Sequence, residues 1–113
     1  MKKLLLTLAF LLSLTFVDAQ TEDNIKMVQL GSLVEVTIYY DNGNIMQHGF
    51  MTNDNKLHAS WESYYEDGRK KCVAHYDKGY KVGIWYYYFM DKTQRVTYDK
   101  NKIIKVEDLD PID

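Results

Sequence analysis

Three histidines, His48, His58 and His75, and one cysteine, Cys72, are the side chains that could hold a transition metal. A repeat in the chain (below) aligns His48 with Cys72, two strands apart, about 9.6 Å at 4.8 Å per strand. Zinc needs each ligand atom at about 2.0–2.3 Å, so the pairing favours ordinary sheet positions and no metal site. Cys72 alternates with Ala74 and Tyr76 and reads as a small buried hydrophobe, although a lone cysteine in an oxidising compartment could also pair with another chain. The serines after residue 20, Ser32, Ser60 and Ser63, lie in no Gly-x-Ser-x-Gly elbow, and no Walker-type loop exists. The carboxylates Asp41, Glu66, Asp67, Asp77, Asp91 and Asp99 fall at turn signals, where side-chain hydrogen bonding accounts for them. No catalytic residue, cofactor or metal is therefore expected. Four tyrosines remain: Tyr39, Tyr64 and Tyr88 recur at matching positions with Tyr86 on the same face between them, and a tyrosine pairs an apolar body with a polar tip that can stack on a sugar, a peptide edge or a partner sheet. The competing explanation is cross-strand packing that stiffens the sheet.

The elements that would carry those tyrosines follow from composition. The chain has 113 residues, 46% of them hydrophobic, with a formal charge of −2. The first 19 residues hold 13 of the hydrophobic side chains. Met1-Lys2-Lys3, the apolar run Leu4–Val17 and Val17-Asp18-Ala19 read as a cleavable export signal, the run being shorter than the roughly 20 residues a membrane span needs. No cysteine near Gln20 offers a site for a lipid anchor. Cleavage leaves 12 basic and 15 acidic residues, net −3, with no basic stripe for nucleic acid or anionic lipid. Residues 20–113 hold only four Leu and two Ala against seven Val, seven Ile and fourteen aromatics, which favours strands over helices.

Self-comparison supplies the order of those strands. Tyr39-Tyr40-Asp41-Asn42-Gly43 recurs as Tyr64-Tyr65-Glu66-Asp67-Gly68, Trp61 recurs as Trp85, and Tyr76-Asp77-Lys78-Gly79 recurs as Tyr98-Asp99-Lys100-Asn101. A third, decayed copy of the first block is Tyr88-Phe89-Met90-Asp91-Lys92. Gly43, Gly68 and Gly79 mark hairpin turns, and the intervening runs have strand length. Strands are expected near 25–30, 33–40, 44–52, 57–65, 70–76, 81–89, 94–98 and 102–107. The fold expected is all-β: an antiparallel meander of hairpin repeats forming one twisted sheet. Period-two alternation puts Tyr40, Trp61, Tyr65, Trp85 and Phe89 on a core face and Tyr39, Tyr64, Tyr86 and Tyr88 on the opposite one. The domain plan is a signal at 1–19, a lead-in at 20–32, the repeat domain at 33–106 and a fraying acidic tail at 107–113.

The Tyr-Tyr-x-Asn/Asp-Gly turn, the Asp-Lys-Gly turn and Gly83-Ile84-Trp85 resemble the MORN family of β-hairpin repeats, and more narrowly its bacterial YwqK-type antitoxin variant. The resemblance spans about residues 37–101 and is strongest from Tyr64 to Tyr86; small secreted proteins of Bacteroidetes-type bacteria look like this. It departs at Ala59-Ser60-Trp61, where the pattern has Gly-x-Trp, and at Lys92, where it has glycine. Together with the export signal, it points to a non-enzymatic interaction module, exported to the periplasm or medium, that binds a protein or an envelope glycan, with self-association through a sheet edge or the aromatic face as a further expectation. An antitoxin-like partner-binding role is an alternative, against which the export signal argues. Some relatives bear a nicotinate-mononucleotide adenylyltransferase label. His48-Gly49 is not the His-x-Gly-His of that chemistry, and so short a β-rich chain cannot form its α/β fold.

Overall fold

A computed structural model describes residues 24–109; the export signal read at residues 1–19 lies outside them. Nine strands follow one another: β1 (Ile25–Leu30), β2 (Leu33–Tyr39), β3 (Ile45–Thr52), β4 (Leu57–Tyr64), β5 (Lys70–Asp77), β6 (Tyr80–Lys81), β7 (Gly83–Tyr88), β8 (Thr93–Asp99) and β9 (Lys102–Leu109). They form a single antiparallel meander, open at β1 and β9, in the spatial order β1-β2-β3-β4-β5-β7-β8-β9 with β6 beside β5. The fold is all-β, as the repeat implies. Most chain reversals use left-handed backbone. Gly43, Gly68 and Gly79 take φ of 94°, 96° and 94°. Lys100 and Asn101, at 46° and 73°, do the same work in the last hairpin without a glycine.

One expected strand, 81–89, is broken at Val82. Gly83 there has φ 71°, the Val82 amide bonds the His75 carbonyl, and the Trp85 indole N–H donates to the carbonyls of both His75 and Val82. The strand bulges just before its tryptophan, and the indole N–H is shared between the two carbonyls at the bulge. The first repeat solves the same problem with Ala59 at φ 63° and the Trp61 indole bonded to the Phe50 carbonyl at 2.8 Å.

The core lies on one face: Val36, Ile38, Met51, Trp61, Ala74, Trp85 and Val96, none more than 8% exposed. Trp61 sits directly over Gly49, where any added Cβ would fall 2.0 Å from the indole ring. It also stands opposite Ala74 on the next strand. Small residues beneath and beside the rings let a single sheet bury them at close-packed density.

Three positions depart from the expected core. Phe89 is 49% exposed. Tyr40 and Tyr65 are half-buried at turns, where the Tyr40 hydroxyl donates to the Tyr64 carbonyl at 2.7 Å and the Tyr65 hydroxyl to the Tyr88 carbonyl at 2.9 Å. The reason is local. β2, β4 and β7 end one residue earlier, at Tyr39, Tyr64 and Tyr88, and bulges opposite Tyr39 and Tyr64 interrupt the pleat. The next side chain therefore leaves the sheet face and reaches toward the following hairpin. Phe89 occupies the third such position without a hydroxyl.

The lead-in and the tail are also partly sheet. β1 pairs with β2 along its whole length, and β9 continues past residue 106 to Leu109, so Glu107 and Asp108 are strand residues rather than fraying ones.

Candidate functional site

Tyr39, Tyr64, Tyr86 and Tyr88 all stand on the face opposite the core, each half-buried. Register explains their company. Across the sheet Thr37 faces His48, His48 faces Glu62, Glu62 faces Val73, Val73 faces Tyr86, Tyr86 faces Arg95 and Arg95 faces Glu107. Side chains directly opposite on paired strands share a face, so this line of residues belongs to the tyrosine face from one side of the sheet to the other. Tyr64 and Tyr88 end the strands next to Glu62 and Tyr86; Tyr39 ends β2, opposite Ile45.

The rings do not form one continuous stack. Tyr86 and Tyr88 lie parallel, centroids 6.2 Å apart and planes within 15°. Tyr64 is held separately: its hydroxyl donates to Glu62 Oε1 at 2.7 Å, and the Lys70 ammonium lies 5.9 Å from its ring centre. That hydrogen bond to a carboxylate, helped by burial, pushes the Tyr64 hydroxyl up to about 12. Burial also raises the Tyr88 hydroxyl. Both phenols are thus neutral donors at any physiological pH.

The charges between the rings are paired with each other. Glu35 Oε2 meets His48 Nε2 at 2.8 Å, and Lys70 Nζ approaches Glu62 at 3.9 Å. Arg95 grips Glu107 with two bonds, Nε at 2.9 Å and a terminal guanidinium nitrogen at 3.1 Å. The guanidinium holds the Glu107 carboxyl down at about 2, and Glu107, with the Tyr86 hydroxyl second, makes Arg95 a still weaker acid. The face is therefore aromatic and rich in hydrogen-bonding groups, with its charged side chains engaged by neighbours on the same face.

The remaining chemistry-bearing residues are dispersed. His48 and Cys72 lie on opposite faces, because His48 faces Glu62 whereas Cys72 faces Ser63, the neighbour of Glu62. The repeat alignment that equated them overlooks the bulges. His58 accepts from the Lys78 amide at a turn, and His75 stands opposite Ser60. Among the described residues no group of three or more His, Cys, Asp or Glu is placed to hold a metal. Cys72 packs against the core, and burial pushes its thiol up to about 11, far from the thiolate a nucleophile needs.

Sequence reasoning found the tyrosines but missed Arg95 and Glu107. Arg95 shares the parity of Thr93 and Thr97 on a strand of the right length, so its face was readable. Its partner was not, because Glu107 sits in an acidic run that resembles a tail. Compared with known proteins, the chain matches no family model, no curated protein and no solved structure.

Proposed function

We propose that the protein is an exported, non-enzymatic β-repeat module of the MORN-like, YwqK-type kind that binds a partner protein or an envelope glycan through its tyrosine face. The observation that carries this reading is the gathering of Tyr64, Tyr86 and Tyr88 on a sheet face where the neighbouring charges are already paired. Such a surface suits a ligand that offers C–H faces and hydroxyl or amide groups and carries little charge of its own. Export rests on the basic, then apolar, then small-residue pattern of residues 1–19.

The test is capture from the envelope fraction by the protein and by a Tyr64→Ala/Tyr88→Ala variant. The backbone carbonyls that accept the Tyr40 and Tyr65 hydroxyls survive in that variant, so its circular dichroism and melting should change little. Partners retained by the native protein should be lost from the variant. A variant that keeps every partner ends the tyrosine reading, and adenylyl transfer from ATP to nicotinate mononucleotide by the purified protein would replace it with an enzymatic one.

A further inference from the structure

β9 bounds the sheet, and among the described residues no strand pairs with its outer edge. Ile103, Ile104 and Val106 on that strand are 56%, 57% and 51% exposed. Val106 stands opposite Val96, which is 3% exposed and itself opposite Trp85. It is thus the last member of a core line, left half-bare because the sheet stops there. A strand edge that shows bare aliphatics and open backbone groups is a template for another strand. We propose that it is a two-fold contact between two copies of this chain, β9 pairing antiparallel with β9 of the second copy about Val106.

Charge and pleat select that register. In a two-fold antiparallel pair one residue faces its own copy, and flanking residues pair symmetrically about it. Centring on Lys102, Lys105, Glu107 or Asp108 sets like charges face to face, and centring on Leu109 sets Asp108 against Asp110. Ile103 and Ile104 lie at a bulge, since Thr97 faces Lys105 while Tyr98 faces Ile103. Val106 alone is free of both faults. About it, Lys105 faces Glu107 of the other copy, twice by symmetry, while the two Val106 side chains extend the core line across the junction. The opposite edge is a poorer occupant: β1 carries one charge, Lys26, and a β1-to-β9 junction is head-to-tail, always leaving a free β1 and a free β9 at the ends of the assembly, so that it grows without closing. The two-fold axis runs through the sheet, so both tyrosine faces end on the same side. This pairing does not rest on the reading of that face, but it would double it and raise its avidity for an extended partner.

Sedimentation equilibrium of protein purified from cells expressing the full chain is expected to give a mass of two chains that falls to one on dilution. Lys105→Glu, an exposed change that puts Glu opposite Glu107, should weaken the dimer about tenfold. In a Cys72→Ala background, Val106→Cys should oxidise to a covalent dimer, whereas Lys105→Cys should not, because only Val106 meets its own copy. The Tyr64→Ala/Tyr88→Ala variant should dimerise normally, which separates this contact from the tyrosine face. A one-chain mass up to about 1 mM, near the limit of specific association, overturns the proposal. So do masses that keep rising with concentration, cross-linking at 105 but not 106, or a dimer lost with the tyrosines.

Discussion

Ala59 holds a backbone conformation that its side chain disfavours. It sits at φ 63°, the conformation that Gly83 adopts at 71° before the second tryptophan. The departure from Gly-x-Trp seen in the sequence is therefore a residue with a Cβ held where glycine is easier. Left-handed backbone costs such a residue roughly 1–2 kcal/mol. Glycine gives back about 0.4–1 kcal/mol of that through the freer unfolded chain. Ala59→Gly is accordingly expected to stabilise the protein by about 0.5–1 kcal/mol, a rise of a few degrees in a thermal melt. An unchanged or lower midpoint would mean that the bulge does not strain Ala59. At this scale the sequence was readable wherever residue type and backbone demand coincide, as at Gly43, Gly68 and Gly79. It misled at Phe89, whose apolar type suggests burial while its place after the strand end does not.

Among the elements, the pairing of β8 with β9 depends most on charge. Arg95 and Glu107 lock across it, Lys105 adds a second cation 3.4 Å from Glu107, and Asp108 is held by Gln94 and Lys92. The Glu107 carboxyl has its folded value depressed to about 2 from 4.5. A depressed carboxyl contributes fully above its unfolded value and loses that contribution as pH falls toward the folded one. The attachment of β9 should therefore be intact above about pH 5 and weaken between roughly pH 4.5 and 2. In an NMR titration the amides of residues 105–109 should shift and broaden in that window, before those of β4 and β5. Arg95→Ala should move the Glu107 midpoint up toward the ordinary carboxylate range. Simultaneous loss of all strands would place the acid-sensitive pairing elsewhere. The strands were legible from alternation and turn spacing to within a residue or two at most ends. The limits of β9 were not, because an acidic segment looks like a tail until its basic partner strand is in register beside it.

The described residues form a sheet with one buried face, open among those residues at both edges and tied from hairpin to hairpin by the Tyr40 and Tyr65 hydroxyls. Its tryptophans lie on β4 and β7, flanking β5, while most of the exposed aliphatics, Val28, Leu30, Ile103, Ile104 and Val106, lie on β1 and β9, with Ile45 on β3 and Ile84 on β7. Stability should follow that distribution. Hydrogen exchange is expected to be slowest in β4, β5 and β7 and progressively faster toward both edges, with β9 protected further as protein concentration rises. Uniform protection across the sheet would instead describe one all-or-none unit without local opening. The sequence by itself determined that the chain is a meander of hairpins and which tyrosines share a face, because strand alternation and turn chemistry are local rules that each residue obeys with its neighbours. Only the tertiary structure decided which side chains engage the charges of that face, which repeat side chains leave the core for the next hairpin, and that a half-bare valine ends the described sheet. Those depend on register between strands, and a bulge that shifts register by one residue is set by packing across the sheet rather than by the residues in line.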